Sequence, residues 1–289
     1  MSLPELTIVV PCYNGGRFFD QMFASLDRQT FRNFEVIVVD DGSTDADTKA
    51  RLQNLPVGTS VIHQENKGLA AARNTGFKAA RADIVLPLDC DDVLEPTFLS
   101  EAMALLAAAP PEVAFVFSDI KLIGGRQGVH ACDFDPFDQL FLNELPYCLM
   151  LRKSAWAAVG GYDESMRDGY GGYADWDFNI HLSVLGFRAI RIDKPLFIYW
   201  VRPDDMLVSL SARMHGTIWR YIRQKYRDEY RLAALYRRWN EHRSLASAVR
   251  AAGLLFLATV LPLRWFDQLF YRLLVAAHRR QTQAYLAAH

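Results

Sequence analysis

The sequence has few cysteines and no strong excess of charge of either sign. Its net charge of -1 argues against nucleic acid as a partner, because nucleic-acid-binding proteins normally carry a basic excess. The first five residues lack the basic segment that opens a signal peptide. The four cysteines show no CxxC spacing or small disulfide framework, which favours free thiols in a reducing compartment such as the cytoplasm: Cys12, Cys90, Cys132 and Cys148.

Apolar runs long enough to cross a membrane are also missing. The C-terminal run Ala251–Leu261 has eleven residues and is ended by Pro262. A spanning helix needs about 20 residues to cross ~30 Å of hydrocarbon, so this run argues against a transmembrane helix. What is present is a globular composition, with 51% hydrophobic and 22% charged residues in a chain of 289. That length suits one large α/β domain with an appendage, or two modest domains.

Strands and helices alternate four times in the first 109 residues. Short apolar runs predict the strands, and apolar residues at helical spacing predict the helices between them. Such alternation predicts an α/β fold with a mostly parallel sheet, flanked by helices and joined by right-handed crossovers. The strands are Leu6–Val10, Phe34–Val39, Thr59–His63 and a run from Ala82; the helices are Arg17–Gln29, one from about Asp45, Leu69–Arg81 and Pro96–Ala109.

Three of the loops that follow these strands are polar, and parallel strands bring such loops to one edge of the sheet, where α/β folds bind ligands. They are residues 13–16, 40–43 and 89–92. In the last loop, Asp89, Asp91 and Asp92 come within four positions. Carboxylates this close raise one another's pKa, so a fold that gathers them usually holds a cation. The alternative is a solvated acidic turn in which Asp92 caps the next helix.

Three further candidates remain open on the residues alone. Asp40 and Asp41 end a strand, where carboxylates can accept from the N–H of a base or from ribose hydroxyls. Arg73 lies in an Ala-rich helix and would either reach a diphosphate with its guanidinium group or sit solvated on the outer face. Asp175 stands at a helix start, where a carboxylate is more often a cap than a base.

The regular alternation of strands and helices ends after residue 111. Residues 167–173 are rich in Gly and Tyr and predict a mobile linker, and the helix that follows begins at Asp175. The remaining predicted elements are strands Val113–Phe117 and Ile120–Ile123, a loop over residues 124–137, strand Tyr147–Leu151, helix Lys153–Val159 and strand Leu196–Tyr199.

Five segments in order give the sequence a family resemblance. TIVVPCYNGG, VIVVDDGSTD, NKGLAAARNTGF, LPLDCDD and ADWDFNI, at these separations, resemble the inverting family 2 glycosyltransferases with a GT-A fold. The resemblance covers about residues 6 to 211. It implies a GT-A catalytic domain over 1–211, a C-terminal helical extension over 212–289, and a nucleoside site formed by Pro11, Tyr13, Asp40 and Asp41.

The resemblance also implies a chemical role for the acidic residues. Asp89 and Asp91 match the D-x-D motif that holds the ribose and a divalent ion, with Asp91 the direct ligand of Mg²⁺ or Mn²⁺. Arg73 matches an arginine near the nucleotide, and Asp175 matches the general base. The implied reaction is transfer of a sugar from a nucleotide-diphosphate donor, a UDP-sugar by preference, to a hydroxyl of a glycan or lipid-linked glycan in cell-envelope polysaccharide biosynthesis.

The sequence departs from the family pattern in two places. Ala174 stands where the family commonly has Glu before the base, which makes Asp177 an alternative base and leaves a catalytically silent nucleotide-sugar-binding subunit as the alternative function. The segment WVRPDDM replaces a common metal-binding His, and it predicts either that Arg202 contacts the diphosphate or that it is a surface arginine. A phosphoryl transferase is disfavoured, because its aspartate motif normally follows the first strand.

The C-terminal seventy residues lie outside the resemblance. Residues 213–250 are rich in Arg, and Trp219–Arg250 predicts helix. The segment LRWFDQLFYRLLVAAHRR combines aromatic residues with Arg at helical spacing. That pattern suits a helix in the interface of the membrane's inner face, which would bring a lipid-linked acceptor close. Packing on the catalytic domain and a homodimer contact are the alternatives.

Overall fold

The computed structural model describes residues 3–125, 127–166, 173–201, 215–242, 244–262, 264–269 and 272. The predicted linker over 167–173 therefore lies almost wholly outside the described residues, and Arg202 lies outside them entirely. Among the described residues, no helix is both long enough and apolar enough to cross a bilayer.

One sheet of nine strands organises the molecule. Its order is β3-β2-β1-β4-β8-β6-β9-β5, with β7 paired to β6. The first four strands in this order are parallel, as predicted, whereas β8 runs antiparallel to β4 and β6. The strands are β1 Leu6–Cys12, β2 Phe34–Asp40, β3 Thr59–His63, β4 Ile84–Pro87, β5 Val93–Leu94, β6 Val113–Gly124, β7 Gly128–His130, β8 Met150–Arg152 and β9 Arg188–Val201.

Helices cover both faces of this sheet. Alternate residues of β1 point to opposite faces, so Ile8 and Val10 pack in one core cluster and Val9 in the other. Asp45 caps α2, which begins close to the predicted position, because its carboxylate accepts from Thr48 N at 2.8 Å. The helices are α1 Phe19–Asp27, α2 Ala46–Leu52, α3 Leu69–Ala79, α4 Phe98–Ala108, α5 Lys153–Ala158, α6 Ala174–Val184, α7 His215–Lys225, α8 Leu232–His242 and α9 Leu245–Val260.

The second half differs most from the sequence prediction. The two predicted strands at 113–123 are one strand, interrupted by a register shift between Ser118 and Ile120. The predicted loop over 124–137 contains β7, because Ile120 pairs with His130. Strand β9 is far longer than predicted, because it pairs with β6 along nearly its whole length and so tolerates polar residues that hide the strand pattern.

The C-terminal helices α7 and α9 pack on the rest of the fold; of the segment 263–280, for which such packing was one predicted alternative, only residues 264–269 and 272 are described. Trp219 and Ile222 of α7 and Leu254 of α9 belong to the same core cluster as the residues under β1 and β6. Trp219 Nε1 donates to Leu140 O at 3.0 Å, and Ser247 Oγ to the Asp138 carboxylate at 2.8 Å. Helices α7 to α9 are thus held by both apolar and polar contacts.

Candidate active site

The carboxyl ends of β1, β2 and β4 meet at one edge of the sheet and are tied together there. Asn14, in the left-handed region with φ 54°, accepts from Thr44 N at 2.8 Å and donates its own N–H to Ser43 Oγ at 2.9 Å. Asp41 N donates to Cys12 O at 2.8 Å, and the thiols of Cys12 and Cys90 are hydrogen-bonded. These contacts join the three polar loops that the sequence singled out.

The predicted nucleoside residues surround this edge. Asp41 accepts from the backbone N–H groups of Lys67 and Gly68, both at 2.8 Å, and so fixes the start of α3. Burial raises the pKa of Asp40, but hydrogen bonds from Ser43 and His63 outweigh it and lower the pKa overall. The other two predicted residues differ in exposure: Pro11 is buried in β1, and Tyr13 is 52% exposed beside it.

Arg73 lies inside the protein, not on the solvated face that was the alternative. Its side chain is 2% exposed, and its Nη2 donates to both oxygens of Asp89, at 2.8 and 3.1 Å. The guanidinium group lies 4.6 Å from the ring centroid of Tyr147 and 5.5 Å from that of Tyr162. Two aromatic faces and a carboxylate therefore hold the cation at the strand ends.

Asp92 is buried and helps to hold the acidic loop in place through Tyr147. The alternative that it caps the next helix is wrong. The Tyr147 hydroxyl accepts from Asp89 N at 2.9 Å and donates to Asp92 at 2.7 Å, while Trp200 N donates to the other Asp92 oxygen at 3.1 Å. Burial, followed by the charges of Asp91 and Asp89, raises the pKa of Asp92 well above its usual range. Helix α4 begins later, after Thr97.

Asp175 joins this cluster from the first turn of α6. One of its oxygens accepts from Trp176 N at 2.7 Å, and the Asn143 side chain also bonds it. Burial raises its pKa to about 6, while the nearby charge of Arg73 lowers it and that of Asp89 raises it further. The structure therefore brings Asp175, Arg73 and Asp89 within electrostatic reach of one another, although they are far apart in sequence.

Asp177, the alternative base, faces away from this cluster. It is 2% exposed, and its Oδ2 accepts from Lys225 Nζ at 2.8 Å. It therefore connects α6 to α7. Ala174 is fully buried in the core, so the position where the family commonly has Glu is an apolar packing position here.

The carboxylates of the acidic loop can hold a divalent ion only if a bound substrate supplies further oxygen ligands. Among the described residues, no group of three or more His, Cys, Asp or Glu side chains is arranged to hold a metal. Arg73 bonds both oxygens of Asp89, so the charge of that carboxylate is already paired with a cation. Mg²⁺ commonly binds through one or two carboxylates together with substrate phosphates, and this loop fits that pattern.

Sequence reasoning missed several residues of this site. The structure places Tyr147 just before β8, whereas the sequence predicts it as the first residue of a strand ending at Leu151, and it places Tyr162 in an irregular segment after α5. Asn74 positions Tyr162, because its amide oxygen accepts from Tyr162 N at 2.8 Å and its Nδ2 donates to Tyr162 O at 2.9 Å. The one available signal was that Asn74 directly follows Arg73 in the segment NKGLAAARNTGF.

The fold and the comparisons with known proteins define a glycosyltransferase. The family model described as Glycosyl transferase family 2 matches residues 7–159, more than half of the sequence, and the chain belongs to that family. An uncharacterized glycosyltransferase of Haemophilus influenzae is 26% identical over 231 residues, covering 76% of each chain. The putative glycosyltransferase EpsH of Bacillus subtilis is 37% identical over 105 residues, which span 36% of this chain and 30% of EpsH.

Solved structures share the fold. TarS 1-349 of S. aureus, in complex with UDP-GlcNAc, has a TM-score of 0.60 at 21% identity, covering 76% of this chain and 66% of that one. A mannosyltransferase from Pyrobaculum calidifontis, in complex with GDP-Man and Mn²⁺, has a TM-score of 0.56 at 19% identity, covering 96% and 87%. At these identities the likeness establishes the mixed α/β GT-A fold.

Proposed function

We propose that this glycosyltransferase moves a sugar from a nucleotide-diphosphate donor, a UDP-sugar by preference, to an acceptor hydroxyl with inversion at the anomeric carbon. The observation that carries the proposal is the cluster of Arg73, Asp89 and Asp175 at the strand ends. It combines a buried cation with a carboxylate whose pKa is about 6. Proteins of the same fold bind UDP-GlcNAc and GDP-Man, which supports a nucleotide-diphosphate sugar as the donor.

In this reaction the acceptor oxygen attacks the anomeric carbon and must lose its proton as it does so. Asp175 takes that proton, because a base with a pKa about one unit below neutrality is ionised yet still basic. The hydrogen bonds from Trp176 N and Asn143 orient the carboxylate. A single displacement of this kind inverts the configuration. Asp175 does not need the neighbouring Glu of the family pattern to raise its pKa, since burial already raises it to about 6.

The leaving nucleoside diphosphate gains negative charge, which the opposite side of the site must stabilise. Arg73 supplies a buried positive charge that Tyr147 and Tyr162 hold in place. Asp91 would hold Mg²⁺ or Mn²⁺ together with the diphosphate oxygens, and that ion would neutralise the departing phosphate. Asp40, Asp41 and Tyr13 are proposed to contact the nucleoside.

The proposed acceptor is a glycan or lipid-linked glycan of the cell envelope. The C-terminal helices support a lipid-linked acceptor, because they combine Arg-rich segments with exposed apolar residues. A protein held at the inner face of the membrane would meet such an acceptor directly.

Replacing Asp91 tests the proposed metal and donor site. We expect calorimetric titration of UDP in the presence of Mn²⁺ to give an affinity at least about tenfold lower in Asp91→Asn than in the original protein, because the variant loses a charged oxygen ligand. With EDTA in place of Mn²⁺, the two proteins should bind UDP alike. GDP, titrated in parallel, should bind more weakly than UDP.

The matched control is Asp228→Asn, which removes the same charge from an exposed position after α7. It should leave UDP binding unchanged. Undiminished UDP affinity of Asp91→Asn in the presence of Mn²⁺ would remove Asp91 from the metal site.

A further inference from the structure

Two cysteines that are far apart in sequence meet at the strand ends. Cys12 ends β1, and Cys90 lies in the acidic loop that follows β4. The parallel register of these strands pairs Val9 with Pro87, and Leu88 N donates to Val9 O at 2.9 Å just past the end of β4. Continued by three residues, this register sets Cys12 opposite Cys90. Neighbouring strands are about 4.8 Å apart, within the separation of about 4.4–6.8 Å between Cα atoms that a disulfide spans.

The side chains of the two cysteines point toward each other. Their thiol groups are hydrogen-bonded, and both sulfurs lie beside Gly15. A Cβ atom at position 15 would lie 2.4 Å from Cys90 Sγ and 3.6 Å from Cys12 Sγ. A larger residue there would therefore displace the Cys90 thiol, so Gly15 leaves the space in which the two sulfurs meet.

The other two cysteines are arranged differently. Cys132 and Cys148 are both fully buried, and they lie in different core clusters, on opposite faces of the sheet. Cys132 Sγ donates to His130 O at 3.7 Å. Cys148 shares a core cluster with Cys12, but the thiol that bonds Cys12 is that of Cys90. The chain thus contains one contacting pair of thiols and two buried thiols that serve as an internal reference.

The contacting thiols differ in their access to solvent. Cys90 is partly exposed, whereas Cys12 is only 2% exposed. A small oxidant would reach Cys90 first, and Cys12 already lies against it. An accessible cysteine next to a second one that can complete a disulfide is the usual arrangement of a redox-sensing pair.

We propose that Cys12 and Cys90 form a reversible disulfide that closes the donor site. The oxidant is a low-molecular-mass disulfide such as glutathione disulfide. The Cys90 sulfur attacks it, which forms a mixed disulfide and releases one glutathione thiol; the Cys12 sulfur then attacks the Cys90 sulfur and releases the second. The two cysteine protons pass to the released thiols, so the cysteine pair is oxidised and the glutathione disulfide is reduced.

The position of Cys90 explains why the disulfide would act on the site. Bonded sulfurs lie about 2 Å apart, closer than hydrogen-bonded thiols, so Cys90 must move toward β1. Its direct neighbours are Asp89, which Arg73 bonds at 2.8 Å, and Asp91. A displacement of about 1 Å at an active site can cost about 10²-fold in rate. This consequence rests on the proposed function, whereas formation of the disulfide does not.

Peptide mass analysis of the full chain treated with glutathione disulfide tests the disulfide. The peptides that contain Cys12 and Cys90 should be cross-linked, with the loss of two hydrogen atoms, and dithiothreitol should separate them. Cys132 and Cys148 should remain thiols that are alkylated only after unfolding. Cys12→Ser should instead retain a glutathione on Cys90, because the second exchange cannot occur. The matched control is Cys132→Ala, which should form the same cross-link as the original protein.

Calorimetric titration of UDP with Mn²⁺ on the same samples tests closure of the site. We expect the cross-linked original protein and cross-linked Cys132→Ala to bind UDP about tenfold or more weakly than before oxidation, and dithiothreitol to restore the affinity. Cys90→Ser should bind UDP with the same affinity before and after the treatment. Each variant is compared with itself, so a change in its own starting affinity does not affect the result.

Three results would overturn the proposal. One is an original protein in which Cys12 and Cys90 stay unlinked while it remains folded by circular dichroism. Another is a cross-link of Cys90 to Cys148 in place of Cys12. The third is equal UDP affinity of the cross-linked and reduced protein. A reduced protein that fails to bind UDP would contradict the proposed function and closure of the site together, and the peptide masses would still decide whether the disulfide forms.

Discussion

Asp175→Asn is expected to make the protein more stable and nearly inactive. Turnover should fall by about 10²- to 10⁴-fold, the usual contribution of a general base. With the acceptor unidentified, turnover is measured as release of nucleoside diphosphate from a panel of UDP- and GDP-sugars, with water as acceptor. The free energy of unfolding at pH 7.5 should rise by about 1–3 kcal/mol, because a pKa raised by about two units costs the ionised fold up to roughly 3 kcal/mol.

The sign of the stability effect follows from the direction of the pKa shift. Burial raises the pKa of Asp175 from an ordinary 3.8 to about 6, so the folded protein retains a proton that the unfolded chain releases between these values. The carboxylate therefore costs stability progressively as pH rises from about 4 to about 6, and fully above that. The advantage of Asp175→Asn should appear over this window and be small at pH 4.

Urea unfolding at pH 4 and pH 7.5 measures this difference. Asp228→Asn, which changes an exposed carboxylate, serves as the control. Its free energy of unfolding at pH 4 and at pH 7.5 should differ from that of the original protein by no more than a few tenths of a kcal/mol. Unchanged turnover in Asp175→Asn would exclude Asp175 as the base. A loss of stability at pH 7.5 would show that the carboxylate has a structural role instead.

Arg73→Met is expected to be strongly destabilising as well as inactive. The Arg73 side chain is buried between Tyr147 and Tyr162. Its removal takes away the guanidinium group that bonds the Asp89 carboxylate. Breaking a buried ion pair by removing one partner typically costs about 3–5 kcal/mol. The pKa of Asp175 should also rise above 6, because the charge of Arg73 lowers it in the intact site.

A double-mutant cycle separates the ion pair from the packing. Asp89→Asn combined with Arg73→Met should recover part of the lost stability, with a coupling energy of about 0.5–3 kcal/mol between the two positions in urea unfolding. Arg73→Lys keeps the charge but not the planar guanidinium, so it should retain more stability than Arg73→Met. Strict additivity of the two changes would mean that Arg73 and Asp89 do not act as a pair.

The first half of the fold was predictable because its signals are local. Strand β3 has the bounds expected from sequence, and the parallel order of the first four strands follows from the alternation of strands and helices. The second half of the fold was not predictable from sequence, because β9 is defined by its long pairing with β6 and not by its own apolar pattern. Likewise, the helical segment expected over Trp219–Arg250 contains parts of three helices, whose packing on the sheet is not visible in their own sequence.

The residues of the site also fall into two groups, those that the sequence could predict and those that it could not. Asp89 and Asp91 stand out because three carboxylates in one short loop are unusual, and Arg73 and Asp175 were singled out mainly through the family resemblance. Tyr147 and Tyr162 carry no such signal, because their role depends on where the chain returns in space. Burial of Arg73 and the raised pKa of Asp175 are likewise properties of the assembled fold, and neither follows from the residues alone.

The central claim is that Asp175, raised in pKa by burial beside Arg73 and Asp89, is the base of this glycosyltransferase. The pH dependence of kcat/KM for nucleoside diphosphate release tests it most directly. The original protein should lose activity about tenfold per pH unit below an inflection near pH 6, and the residual activity of Asp175→Asn should lack that inflection. A profile of the original protein that is flat between pH 5 and 7, or the same inflection in both proteins, would contradict the claim.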